Sequence, residues 1–334
     1  MKKIIGVIGP TYLDHTIKLE GGLYLDGTSG INMEYKDPGG TGLCYAVALA
    51  RLGNSVRFYS RIGNDEPAKL IAKFVLAQLD LMPTWQTDEG TTDYAFILID
   101  QGNHKVVASK KMASDRWSPD ASFAKGVANC AAVVLSSFSN TIVRDTLHFI
   151  KNNVTQKPFI MWAPHLDNCR KAGLLVSQFH LLDHITLSMA EYKILATVLG
   201  DPLKMGPKSI TVTDGRNGCD LITADGRRHY DPFQAIDEPL DTNGAGEAFG
   251  SAFLTSYLHS QDFEVGMTMG RFAAYLHIHR RASDFPRINI GQLLASGFSR
   301  DGQALHEYLL QQRESYLSGG GIPAGDLAAS LAAG

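Results

Sequence analysis

Asp241-Thr242-Asn243-Gly244-Ala245-Gly246-Glu247-Ala248-Phe249-Gly250-Ser251-Ala252-Phe253 is the most informative stretch of this 334-residue chain. From Gly250 to Leu254 it is an apolar run with helical period, so Gly244, Ala245 and Gly246 stand at a helix start. Small residues there leave backbone N–H groups facing outward, and the helix dipole adds partial positive charge, so an anion can sit at that mouth. Glu247 falls in the first turn, facing whatever those amides hold. A carboxylate beside a bound anion is electrostatically odd unless it takes a proton from a nucleophile attacking that anion. Phosphoryl transfer to an alcohol has this requirement. On this segment alone, an ordinary glycine-rich helix start with Glu247 as a stabilising first-turn acid reads equally well.

A second glycine cluster, Gly39-Gly40-Thr41-Gly42, opens a helix expected over 42–52. Ala46 and Ala50 keep one face of it thin, and Gly53 suits its end. Such an opening lets a ligand approach the backbone, although a tight loop has the same composition. Beyond these two starts, short apolar runs alternate with amphipathic stretches, which predicts an α/β fold, a doubly wound, mainly parallel sheet flanked by helices. Strands are expected at 3–9, 55–60, 94–100, 131–135, 157–162, 183–187, 209–214 and 219–223. Further helices are expected near 66–79, 140–152, 189–199, 245–258, 262–281 and 303–316. Residues 14–37 and 90–110 instead have the period-two pattern of antiparallel ribbons with glycine turns, and are expected to pair as a small β lid. The domain is expected to span 1–316, with 317–334 a loosely held Gly/Ala-rich extension and a short helix near 325–332.

Composition removes several alternatives. The 31 Lys+Arg against 34 Asp+Glu give a net charge of -3, without the basic excess of a nucleic-acid binder. No run approaches the length of a spanning helix, so no membrane partner is expected. The apolar stretch of MKKIIGVIG is too short for a signal-peptide core and reads as a first strand, with a cytoplasmic location expected. Cys44, Cys130, Cys169 and Cys219 form no CxxC pair, and HExxH, Gly-x-Ser-x-Gly and the phosphate-loop lysine motif are missing. Gly244-x-Gly246 is a poor dinucleotide fingerprint, being neither at the first βα turn nor followed by the third glycine.

Taken together, the 39–53 helix start, Arg61-Ile62-Gly63-Asn64-Asp65-Glu66, Thr211-Val212-Thr213-Asp214-Gly215-Arg216-Asn217-Gly218 and the 241–253 stretch resemble the ribokinase-like (PfkB) sugar and nucleoside kinase family, in order over about residues 4–290. The resemblance implies a β lid over a small sugar or nucleoside, with ATP and Mg2+ as cofactors and room for a monovalent cation. Asp14 would hold substrate hydroxyls, and Gly39 and Gly40 would let the sugar lie against the backbone, with Cys44 nearby. Thr213, Gly215, Gly218, Asp241 and Ala274 would line the nucleotide site. Gly244, Ala245 and Gly246 would form the anion hole, Glu247 would be the general base, and Glu191 with Ser188 would act near the metal. A homodimer through the lid also follows from the resemblance.

Four positions depart from the family pattern. Glu247 stands for an aspartate, longer by one C–C bond of about 1.5 Å. Ser188 stands for an asparagine, and Cys44 replaces an asparagine whose two-sided hydrogen bonding a thiol lacks. In Ala163-Pro164-His165-Leu166-Asp167 an acid takes an arginine position, which removes a phosphate clamp. The expected activity is transfer of the γ-phosphoryl group of ATP to a sugar hydroxyl; the alternative is a weakly catalytic or inactive sugar- or nucleotide-binding member. Tyr12, Tyr24, Tyr94 and Phe96 are candidates for an aromatic wall around the substrate or for lid packing.

Overall fold

Alternate residues of the central strands enter two separate cores, which is why those strands read as unbroken apolar runs. In β1 (Ile4–Ile8), Ile5 and Val7 join one core and Ile8 the other; in β8 (Ala132–Leu135), Ala132 and Val134 part from Val133 and Leu135. The first core takes side chains from α1 (Thr41–Arg51), α2 (Glu66–Leu76) and α7 (Ala245–Ser260). The second takes them from α3 (Ala121–Val127), α4 (Asn140–Asn153), α5 (Leu166–Arg170) and α6 (Met189–Leu199). The sheet is thus covered on both faces. This structure is a computed structural model and describes residues 2–24, 26–102, 104–235, 242–279, 287–298 and 301–318.

The nine strands run in the order β13 (Gly226–Tyr230), β12 (Cys219–Thr223), β11 (Ser209–Thr213), β10 (His184–Ser188), β9 (Phe159–Trp162), β8, β1, β4 (Ser55–Ile62) and β5 (Leu81–Thr87). All pairs from β11 to β5 are parallel, and β12 and β13 are antiparallel. From β1 the chain builds β4 and β5 on one side, then returns to build β8 to β11 on the other. The strand order therefore reverses beside β1, where open α/β sheets hold their ligands beyond the carboxyl ends of the strands. α8 (Phe263–Ile278) packs along α7, and α9 (Ile290–Leu293) and α10 (Gly302–Leu317) close a further cluster around Phe272, Leu293 and Leu309.

β5 and β13 are absent from the strands expected above, and both are sheet edges. Pro83 interrupts β5, and the exposed Gly226-Arg227-Arg228-His229 of β13 carries almost no apolar signal. Edge strands tolerate both, because one side of their backbone is unpaired. α10 ends one residue later than expected, at Leu317. The helix expected at 325–332 and most of the 317–334 extension lie outside the described residues. Among the described residues no helix is long and apolar enough to cross a membrane.

The lid forms as expected, as a separate sheet of β2 (Tyr12–Leu19), β3 (Ile31–Gly39), β6 (Tyr94–Ile99) and β7 (Lys105–Lys110), in the order β3-β2-β6-β7. Each ribbon is antiparallel, but the joint between them, β2 against β6, is parallel. The buried Asp93 fixes the lid's root: its carboxylate accepts the amides of Met112, Ala113 and Ser114 at 2.7, 2.8 and 3.2 Å. The register puts Asp14, Thr16, Ala95, Ile97 and Lys105 on one face, and Thr16, Ala95 and Ile97 are buried there. His15, Tyr94 and Phe96 lie on the other face, where Phe96 is 43% exposed and packs on His15. Tyr94 and Phe96 are thus lid packing, turned away from Asp14.

Candidate active site

α7 is aimed by rings spaced four residues apart, Phe249, Phe253 and Tyr257, which stack in parallel planes; His184 of β10 stacks on Phe253 at 4.4 Å. Its amino end is left open. Gly244, at φ +90°, adopts the left-handed conformation that glycine tolerates best, and a Cβ there would meet the His277 ring at 3.0 Å. The Nε2–H of His277 donates to the Asn243 carbonyl at 2.6 Å, fastening the preceding loop to α8. The Ala245 amide makes only a long turn bond, 3.4 Å to the Thr242 carbonyl, and the Gly246 and Glu247 amides have no partner among the described residues. With the Gly244 amide, which likewise has no partner among the described residues, the open donors are those of Gly244, Gly246 and Glu247, two of the three expected and one beyond them.

On one side of this mouth lies a cavity of about 300 Å³. Thr213, Gly215, Gly218, Ala245, Gly246 and Ala274 all line it, so six expected positions drawn from three separate segments meet in one place. Asp241 lies outside the described residues. Phe233, Arg271, Tyr275 and Ile278, which sequence reading did not single out, complete the wall. The Arg271 guanidinium donates to the Asp231 carbonyl at 2.9 Å and lies over the Tyr230 ring at 5.5 Å; burial lowers its pKa. The Thr213 hydroxyl is turned to the Leu187 carbonyl at 3.3 Å. Mostly apolar walls ending at helix amides suit a base with its phosphates at the mouth.

On the other side, Asp14 of β2 is packed against the start of α1. A Cβ at position 39 would collide with the Asp14 carboxylate, so Gly39 is required by close approach. Burial pushes the Asp14 carboxyl up to about 6; Asp37, its partner across the ladder, adds to this, while the Gly40 amide and the Lys105 charge oppose it. Cys44, in the first turn of α1, is held well above the ordinary thiol range by burial, then by the charges of Glu247 and Asp14. It thus stands within the field of both carboxylates. Tyr45, which sequence reading missed, is buried and feels Glu247, Glu191 and Cys44, so it joins the three expected groups. The Thr41, Ser136 and Ser137 hydroxyls link the start of α1 to the end of β8, at the point where the strand order reverses.

Glu191 and Ser188 form a reciprocal cap on α6. One carboxylate oxygen accepts from the Ser188 amide at 2.7 Å and hydroxyl at 2.8 Å; the other lies 3.9 Å from His165 Nδ1. Among the described residues no three metal-ligating side chains gather. One carboxylate oxygen left for a cation suits Mg2+, which keeps several waters and takes most of its remaining ligands from substrate phosphates.

A doubly wound α/β core with a β lid, a base-sized cavity and a carboxylate at an open helix mouth has the build of a small-molecule phosphotransferase. The sequence profile described as "pfkB family carbohydrate kinase" matches residues 24–287, well over half the chain, and the protein belongs to that family of kinases. The ribokinase of Bacillus subtilis (strain 168) is 27% identical over 250 residues, 72% of this chain and 81% of its own. The structure of Arabidopsis thaliana ribokinase complexed with ribose and ATP matches with a TM-score of 0.70 at 17% identity, over 88% of this chain and 99% of that one. Burkholderia thailandensis nucleoside kinase in complex with inosine matches with a TM-score of 0.69 at 14% identity, over 92% of this chain and 97% of that one. The structural matches carry the fold, and the family profile carries the class.

Proposed function

We propose that this kinase transfers the γ-phosphoryl group of ATP to a hydroxyl of a small sugar or nucleoside. The observation that carries the reading is the position of Glu247, at a helix mouth with open amides, between a base-sized cavity and the half-buried Asp14. Asp14 accepts hydrogen bonds from acceptor hydroxyls and orients them. Glu247 takes the proton of the reacting hydroxyl as its oxygen bonds to the γ-phosphorus and the bond to the ADP oxygen breaks. The Gly246 and Glu247 amides donate to the phosphoryl oxygens as charge develops there. Glu191 and Ser188 would hold Mg2+, which neutralises phosphate charge when bound. Thr213, Gly215, Gly218 and Ala274 line the adenine side, and a monovalent cation is tested by exchanging K+ for Na+.

The experiment is a coupled ADP-release assay over ribose, fructose, adenosine and inosine, with Glu247→Gln as the control. Turnover by the wild type and its loss in the variant are expected; no turnover above the variant for any compound refutes the catalytic reading and leaves a binding protein. The lid also exposes apolar side chains, with Ile31, Met33, Val106 and Val107 each 50–55% exposed. We propose that they pair between two copies of the chain. Light scattering of the full chain checks this, and a monomer at assay concentration rules it out.

A further inference from the structure

The phosphoryl-transfer reading supplies a base and two amides at the mouth of α7, yet partial charges are weaker than a full cation as charge spreads over the transferring group. The lid brings such a cation. Lys105 Nζ donates to Asn243 Oδ1 at 3.0 Å across 138 residues of sequence, and Asn243 immediately precedes Gly244, the residue that opens α7. The lid register sets Lys105 on the same face as Asp14, whose carboxyl responds to its charge. The ammonium is therefore fastened to the loop that leads into the helix mouth, near enough to Asp14 for its charge to act there. Asparagine is a neutral partner, so it holds the lysine without cancelling its charge. An ammonium has three N–H donors, and among the described residues Lys105 makes one hydrogen bond and no ion pair.

We propose that Lys105 is a catalytic cation carried by the lid: its ammonium contacts the γ-phosphoryl oxygens of the donor nucleotide while the group passes to the acceptor, and Asn243 positions it. This rests on the phosphoryl-transfer reading, and it makes lid closure and charge delivery one event. Lys105 makes and breaks no covalent bond and keeps its proton throughout.

The test uses the full chain with Lys105→Met and Lys105→Arg, and titrates Mg-AMPPNP and Mg-ADP by calorimetry. Lys105→Met is expected to weaken Mg-AMPPNP about tenfold, the worth of one charged hydrogen bond, and to leave Mg-ADP within about twofold. Lys105→Arg keeps the wild-type ratio. In the coupled assay, kcat of Lys105→Met falls on the order of a hundredfold with the acceptor KM nearly unchanged. Equal weakening of both nucleotides, or no change in either, overturns the proposal, and so does an effect confined to the acceptor KM. The calorimetric ratio needs no turnover. If Glu247→Gln is as active as the wild type, the base assignment fails while the AMPPNP-to-ADP ratio still decides Lys105. A wild type that does not bind Mg-AMPPNP at all overturns both.

Discussion

The two halves of the site solve different physical problems. The side proposed for the nucleotide is a packing problem: the β11–β12 turn, α7 and α8 meet around about 300 Å³ of mostly apolar space, where shape and burial would hold a base. The side proposed for the acceptor is an electrostatic one, in which the lid and the start of α1 press a carboxylate out of water until its pKa rises to about 6, with a neutral thiol in the field of both it and Glu247. The packed apolar walls of a cavity support the fold that makes them, whereas a desolvated carboxylate works against the fold that holds it. Substitutions should therefore separate: on the nucleotide side they change affinity, and on the acceptor side they change affinity and stability in opposite directions.

The largest expected effect lies where the halves meet. Glu247→Gln keeps size and removes the proposed base, so kcat should fall about a thousandfold while both KM values stay within a few-fold. Equal loss in kcat and in ATP affinity would make Glu247 part of the nucleotide wall, and the division would be drawn in the wrong place.

Asp14→Asn separates function from stability. The acceptor kcat/KM should fall on the order of a hundredfold, as a charged acceptor of hydrogen bonds becomes a neutral amide, with the ATP KM unchanged. The folded pKa of about 6 lies above the ordinary 3.8, so ionisation is penalised in the folded state. Stability that is full below pH 3.8 is thus lost as the pH rises through about 6. For this half-buried group the penalty is about 1–3 kcal/mol at pH 8. Asp14→Asn should raise Tm at pH 8 and leave it almost unchanged near pH 3.5. In the wild type the acceptor kcat/KM should fall as the pH drops through about 6, because the protonated carboxyl loses acceptor capacity. Variant and wild type with the same difference in Tm at both pH values would deny that desolvation is stored there.

Ala274→Trp tests the other half. A ring placed in the cavity should raise the ATP KM about tenfold and spare the acceptor KM, since one lost base contact is worth about 1–3 kcal/mol. An equal rise in both would mean that the two sides are one continuous pocket.

How much of this is legible in sequence follows the same division. The central strands and the starts of α1 and α7 can be read because burial on both faces writes unbroken apolar runs, and because Gly39 and Gly244 sit where a side chain would collide. β5 and β13 cannot, because an edge strand admits Pro83 or a run of arginines without loss. The parallel β2–β6 joint has no local mark, since each ribbon alone has the same period. Asp14, Glu247 and the glycines of the β11–β12 turn are legible as motif positions. Lys105, Arg271 and Tyr45 are not, because what distinguishes them is a partner far along the chain: Asn243 for Lys105, Tyr230 for Arg271, and Glu247 with Glu191 for Tyr45.

The smallest expected effect is the most discriminating. Cys44 is neutral, because burial and the charges of two carboxylates hold its pKa high, so it brings one weak S–H donor into the field of Glu247 and Asp14. Cys44→Asn supplies two good donors and an acceptor in similar volume. If the niche selects its acceptor by hydrogen bonding, the variant should shift the relative kcat/KM of ribose, fructose and inosine by about three- to tenfold, the range of one neutral hydrogen bond, with the ATP KM constant. Cys44→Ala, which removes the weak donor and adds nothing, should leave the ranking in place. A ranking that moves with Ala as much as with Asn would mean that volume, not polarity, sets acceptor choice, and the acceptor half would then obey the same packing rule as the nucleotide half.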